Sequence, residues 1–393
     1  MSFSNRAAIT AILTNLLLFV RTLDSSSEQD RVLSDEQVQQ FHSEGFIKVS
    51  GLFDESLVRD LAAAAEATIE ISPRFPFFYS VSQTGLLFGS TLEGQYNRTT
   101  TQAFRQTALL SKLPQAVAQL MKLDPEIHNL RILRDVFLAK SVQDKETCDW
   151  HVDDMGFWPE SFLTEEGMDG VNVWIALDDM PSAYQGSMGV APRSHKAEWR
   201  HRAYEALGQN RTQDGGKSKE EVIRKIQLQT KSDGKPKSKY PTCDIAMVDA
   251  EVREMAESTK KVFDLKRGDV IFATRLLFHR TLPATDDGIR YYLERNVEHL
   301  SRYSIRYVPG TAQLPTGWSV EWSILDDEKN AGRSLDSISS KGKRLFYPQV
   351  WPRFDPKSLQ EELENMAAAL PDLAKQAQTE YMSTIFGNQQ EPA

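Results

Sequence analysis

In "DWHVDDMGFWP", residues 149–159, His151 and Asp153 stand two apart. Residues i and i+2 of a strand point the same way, so both could reach one ion from a strand end. Two imidazoles and a carboxylate on one face of a metal leave the remaining positions open, and proteins hold Fe(II) for oxygen chemistry with this donor set. An HxD pair alone has low specificity, and Asp154 would point the other way. The missing donor must come from a distant strand. Of the seven histidines, His42 and His128 lie in or beside helical segments, His201 and His299 sit among charges, and His195 follows a turn. His279 ends "GDVIFATRLLFH", where an apolar strand runs into a histidine. By spacing alone it reads either as the third ligand or as a core histidine satisfied by hydrogen bonds.

The elements that would position these residues change character along the chain. "LSDEQVQQFHSEGF" reads as an amphipathic helix with Ser34 and Gln37 at capping-box spacing, Val38, Phe41 and His42 on one face, and Gly45 as its stop. A short strand at 46–53, a helix at 54–71 and another in "KLPQAVAQLMKL" follow. Residues 73–110 mix Pro, Gly, Ser and Thr with aromatics and read as a long irregular segment over a pocket. From about 130, short runs rich in Val, Ile, Leu, Phe and Tyr, punctuated by Gly, Pro and Asp, predict antiparallel β structure closed into a sandwich or barrel. Helices first and strands afterwards place the helices on one face of that β core.

Composition bounds the alternatives. The chain has 393 residues, 40% of them hydrophobic, and a formal net charge of -9, which disfavours nucleic acid as the main partner. Cys148 and Cys243 form neither a disulfide framework nor a CxxC pair, as in a reduced, intracellular protein. Residues 1–30 form an N-terminal apolar segment and linker, in which Arg6 precedes the apolar run 7–20. That run is short of the roughly 20 residues a bilayer requires. It reads as a targeting peptide within 1–25 or as a helix packed on the surface. Residues 31–393 read as one domain with a C-terminal extension from about 311, including a helix near 357–381. A basic insert at about 196–260 interrupts it, and its stretch 196–239 holds twelve Lys and Arg against six Asp and Glu.

The blocks "WHVDDMGFWP", "VNVWIALDDM", "QGSMGVAPRSHK", "LKRGDVIFATRLLFHRT" and "SRYSIRYVPG" occur in an order that resembles the phytanoyl-CoA dioxygenase family of Fe(II)/2-oxoglutarate oxygenases. The opening "LSDEQVQQFHSEGFIKVSGLF" is similar to that family's first helix and strand, so the likeness spans roughly 33–310. It implies a mainly β fold with flanking helices, a double-stranded β-helix (jelly-roll, cupin-like) core. It implies His151, Asp153 and His279 as iron ligands, with 2-oxoglutarate as co-substrate and O2 as oxidant. A carboxylate at Asp153, where related halogenases carry a small residue, argues for hydroxylase-type or other oxidation. The distal carboxylate of 2-oxoglutarate calls for an arginine, whose planar fork holds it bidentately. Family spacing from His279 lands on Arg290, whereas matching the strand "RYSIRYVPG" selects Arg302, which shares a face with Ser304 and with Arg306, the third candidate. Trp174, Lys140 and Thr281 are further co-substrate contacts that the resemblance implies, and Phe157 and Trp158 read as lining the pocket mouth. Asp178 and Asp179 read as turn residues.

The implied reaction converts 2-oxoglutarate to succinate and CO2 while an unactivated C–H bond of a small substrate is hydroxylated, desaturated or cyclised, as in natural-product (for example kainoid) biosynthesis. A fatty acyl-CoA hydroxylase of the phytanoyl-CoA type is the alternative within the family. A non-catalytic cupin-like metal- or ligand-binding protein is the alternative outside it. The basic insert either focuses an anionic substrate onto the site mouth or is a solvated loop. On the first reading, neutralising several of Lys217, Lys219, Lys235, Lys237 and Lys239 raises the substrate KM steeply at low salt, measured by turnover against ionic strength. An unchanged KM removes the electrostatic role.

Overall fold

The computed structural model describes residues 31–71, 78–81, 103–104, 106–145, 147, 149–152, 170–199, 202, 250–313, 333–339 and 349–352. The N-terminal segment 1–30, Cys148 and Cys243, nearly all of the insert before 250 and the helix expected near 357–381 lie outside these residues. Helix α1 (Asp35–Glu44) starts at Ser34, whose hydroxyl accepts from Gln37 N–H while the Gln37 side chain accepts from Ser34 N–H, the reciprocal cap expected from the sequence. It ends at Gly45, where φ is +86° and the N–H donates to Phe41 O. Strand β1 (Phe46–Val49) and helix α2 (Glu55–Ile71) follow, then β2 (Phe78–Val81), a π-helical turn (Gln106–Leu110) and α3 (Leu113–Leu120).

The β core comprises β3 (Leu130–Ser141), β4 (Val171–Ala176), β5 (Met188–Val190), β6 (Lys261–Val262), β7 (Val270–Thr274), β8 (His279–Thr281) and β9 (His299–Pro309), with helix α4 (Ala250–Thr259) before β6 and α5 (Asp286–Leu293) before β9. Helix α6 (Leu335–Ser339) and β10 (Gln349–Trp351) complete the described elements. The larger sheet runs β1-β7-β4-β9-β3-β10, with β2 also on β3, and the smaller runs β6-β5-β8, all pairs antiparallel. Two antiparallel sheets face each other, the jelly-roll arrangement of a double-stranded β-helix.

Alternation along the strands divides the core in two. Val171, Val173 and Ile175 of β4, with Tyr303, Ile305 and Tyr307 of β9, pack against Phe41, Leu61 and Val117 of the helices. Trp174 and Ala176 of β4, with Ile271 and Ala273 of β7, face Met188 and Val190 of the smaller sheet. One stretch departs from expectation. Phe78–Val81, within the segment read as irregular, pairs with β3 from Phe78↔Lys140 to Val81↔Phe137. Further on, Tyr303 OH donates to Asp135 Oδ2 at 2.7 Å and Tyr307 OH to Ala108 O at 2.8 Å. Buried tyrosines need polar partners for their hydroxyls, and Asp135 and the backbone at Ala108 supply them on the helix-covered face. Residues 82–102, the bulk of the segment read as irregular over a pocket, lie outside the described residues.

Gly45 joins α1 to the β core: its carbonyl accepts from Thr274 N–H, and a Cβ there would lie 2.5 Å from His195 Nδ1. Gly45→Ala is therefore expected to lower stability by at least about 1–2 kcal/mol, the cost of a left-handed conformation for a residue with a Cβ, measured as a shift in urea midpoint at constant slope.

Candidate active site

His151 and His279 face each other in an antiparallel bridge. Each backbone N–H donates to the other's carbonyl at 3.0 Å, and the imidazole centroids lie 4.2 Å apart at 56°. The flanking residues explain why both rings point inward. Trp150, Val152 and Phe278, the apolar neighbours of the two histidines, pack on Val252 and Ala256 of α4 on the outer side. Alternation then sends His151 and His279 to the inner side.

Each imidazole is oriented by its own chain. His151 Nδ1 lies 2.7 Å from Asp149 O and His279 Nδ1 2.9 Å from Leu277 O. A carbonyl only accepts, so each Nδ1 carries a proton and Nε2 is the ring nitrogen left to meet a metal. That tautomer, fixed by a carbonyl behind the ring, is the form in which histidine binds a metal through Nε2. Among the described residues no group of three His, Cys, Asp or Glu converges here. Asp153, Phe157 and Trp158 lie outside the described residues.

Around the pair stand three residues that the sequence pointed to. The Trp174 ring packs on His279 at 4.9 Å. Thr281, two residues beyond His279 and on the same side, accepts from Arg302 Nη2 at 3.1 Å. Arg302 lies mid-sheet, opposite Leu138 on β3 and Ala176 on β4. Its strand is paired on both edges, and Tyr303, Ile305 and Tyr307 seal the helix-covered face at 0% exposure. The partly exposed Arg302 and Arg306 therefore lie on the opposite, inner face of the sheet.

Lys140 occupies the inner face of β3, where its ammonium donates to Asp144 O at 2.6 Å. Arg290 is not brought to this group. It lies on α5, 72% exposed and ion-paired with Asp287. The helix accounts for the extra residues between His279 and β9: Thr285 caps it by accepting from Gly288 N–H, and Asp286 and Asp287 favour its N-terminal dipole. Asp178 accepts from Ser301 N–H and Asp179 from Arg267 N–H, so both serve the backbone at turns. Burial raises the Asp178 pKa, more than the Ser301 hydrogen bond and nearby Arg267 lower it.

Sequence reasoning missed Asn172. It is 1% exposed, accepts from Ser304 Oγ at 3.1 Å and stands opposite Arg306. One polar residue inside the otherwise apolar run "VNVWIA" was the available signal, since an unpaired amide there would cost too much to be left without a partner.

The family model described as phytanoyl-CoA dioxygenase matches residues 41–291. No curated protein matches the chain significantly. Among solved structures, the non-heme alpha ketoglutarate dependent carbocyclase SnoK from nogalamycin biosynthesis is 16% identical with a TM-score of 0.50, covering 82% of this chain and 100% of that one. EctD from S. alaskensis, with 2-oxoglutarate and 5-hydroxyectoine, is 15% identical with a TM-score of 0.45, covering 79% and 88%. HygX from Streptomyces hygroscopicus, with nickel and 2-oxoglutarate, is 18% identical with a TM-score of 0.42, covering 77% and 96%. At these identities the likeness to SnoK speaks for the fold.

Proposed function

The chain belongs to the phytanoyl-CoA dioxygenase family of non-haem Fe(II)/2-oxoglutarate-dependent oxygenases, and from that premise we propose that it oxidises an unactivated C–H bond of a small anionic metabolite by hydroxylation, desaturation or ring closure. The observation that carries this reading is the bridged histidine pair, with both Nδ1 atoms held by carbonyls and the Arg302–Thr281 contact on the same inner face. The donors fit the metal: two neutral imidazoles presenting Nε2 are borderline ligands suited to Fe(II), and Asp153 is proposed as the carboxylate that completes the set. When bound, iron with 2-oxoglutarate and O2 supplies the oxidant, and 2-oxoglutarate leaves as succinate and CO2.

The protein's own residues then have distinct tasks. Arg302 would hold the distal carboxylate of 2-oxoglutarate bidentately, with the Thr281 hydroxyl fixing one side of the guanidinium. Trp174 backs His279 with an apolar surface that limits ring rotation and excludes water from that side. Arg306, two positions beyond Ser304 on the same wall, supports an anionic group on the substrate. It lies about 13 Å along the strand from Arg302, by roughly 3.3 Å per residue, far enough to serve a second anion. No described helix is long and apolar enough to cross a membrane.

Anaerobic titration with Fe(II) and 2-oxoglutarate is expected to develop a weak visible charge-transfer band that His151→Ala and His279→Ala abolish. No band in the intact protein would overturn the oxygenase reading in favour of a non-catalytic cupin-like protein. The same band reports co-substrate affinity. Arg302→Met is expected to weaken 2-oxoglutarate binding by about 2–5 kcal/mol, at least roughly thirtyfold, whereas Arg290→Ala leaves it unchanged; the opposite pattern would transfer the role to Arg290.

A further inference from the structure

Helix α4 presents two adjacent ridges to the segments that carry the histidines. One is apolar, Val252 and Ala256, both 0% exposed against Trp150 and Phe278. The other is charged, Arg253 and Glu257, four residues apart and therefore on one side of the helix. Glu257 Oε1 accepts from Trp150 Nε1 at 2.8 Å and from Arg280 Nη1 at 2.5 Å, while Oε2 accepts from Lys260 at 2.7 Å. The same Arg280 Nη1 lies 3.2 Å from Asp149 Oδ1, and Arg253 lies 3.2 Å from Asp149 Oδ2. Arg280 also stands over the Trp150 ring, 5.8 Å from its centroid.

The significance lies in which residues these are. Trp150 precedes His151 and Arg280 follows His279, so one carboxylate oxygen ties together the neighbours of both histidines. Asp149, whose carboxylate is gripped by Arg253 and Arg280, is the residue whose carbonyl orients the His151 ring. We infer that Glu257 is a positioning residue: through Trp150, Arg280 and Asp149, it holds the two histidines at the separation and tilt that a shared metal requires. The inference rests on the reading of His151 and His279 as metal ligands.

The chemistry suits a fixed clamp. Arg280 and Asp149 are 17% and 19% exposed, so their ion pair is screened less than one on the surface. Burial opposes the charge on Glu257, but hydrogen bonds from Lys260 and Trp150, with the charges of Lys260 and Arg280, outweigh it and pull the pKa to about 2. The carboxylate is thus ionised, and its acceptor oxygen serves both neighbours, at any pH near neutrality. Val252 and Ala256 supply the apolar burial that seats the helix, leaving Glu257 to set the geometry across it.

Three variants separate positioning from mere packing. Val252→Ala removes apolar contact from the same helix and leaves the charged ridge intact. Glu257→Gln keeps an acceptor for Trp150 but not the charge facing Arg280 and Lys260. Glu257→Ala removes both. Fe(II) affinity, read anaerobically from the charge-transfer band with saturating 2-oxoglutarate, is expected to fall about tenfold or more in Glu257→Ala, as for other residues that orient metal ligands indirectly. Glu257→Gln should fall between Glu257→Ala and the wild type, and Val252→Ala should lower the urea midpoint with affinity within twofold of wild type. If Glu257→Ala does not fold, the Gln variant and Arg253→Met carry the comparison, both expected to weaken metal binding at a near-native urea midpoint. Unchanged affinity in the Glu257 variants, or an equal loss in Val252→Ala, overturns the positioning role while leaving the oxygenase reading in place. A wild-type protein without the band overturns both.

Discussion

Two backbone hydrogen bonds of 3.0 Å between His151 and His279 join segments far apart in the chain. In an antiparallel pair, residues directly opposite each other send their side chains to the same face. The bridge therefore determines that both imidazoles enter the same chamber. A slip of one residue in either segment would replace a histidine with Trp150, Val152, Phe278 or Arg280 and bury the histidine against α4. The large apolar neighbours resist that slip, since Trp150 and Phe278 are fully buried on the outer side and have nowhere to go within the chamber.

The larger sheet extends the same division. β4 and β9 put aliphatic and tyrosine side chains toward the helices and Asn172, Trp174, Arg302, Ser304 and Arg306 toward the chamber. Burying guanidinium groups is costly unless they have partners. Thr281 is one such partner for Arg302, and a bound carboxylate would be a stronger one. The helix-covered face likewise contains polar groups satisfied internally, as in the Tyr303–Asp135 pair.

Much of this is legible in the sequence. The cap at Ser34, the stop at Gly45 and the buried runs of β4 and β7 follow from local chemistry, because capping and apolar periodicity act within a few residues. Two helices that flank the last core strands and the candidate site were not legible. "DDGIRYYL" contains glycine and two aromatics, and counting from His279 treated it as part of the approach to the last strand, which put Arg290 in contention. "AEVREMAEST" was obscured by the basic, glycine- and lysine-rich composition of the insert before it, although Val252/Ala256 and Arg253/Glu257 have helical spacing.

The sequence by itself determined the residue types and their parity: an HxD pair, a histidine at the end of an apolar strand, and arginines alternating with tyrosines on the last core strand. Those features depend on period-two geometry, which any extended segment obeys. Only the tertiary structure decided which of these residues meet. The register of β9 between β3 and β4 brings Arg302 to Thr281, an intervening helix carries Arg290 to the surface, and the seating of α4 ties Glu257 to the neighbours of both histidines. Such contacts join segments distant in sequence, and their pairing is selected by the burial of the whole core and not by any local pattern.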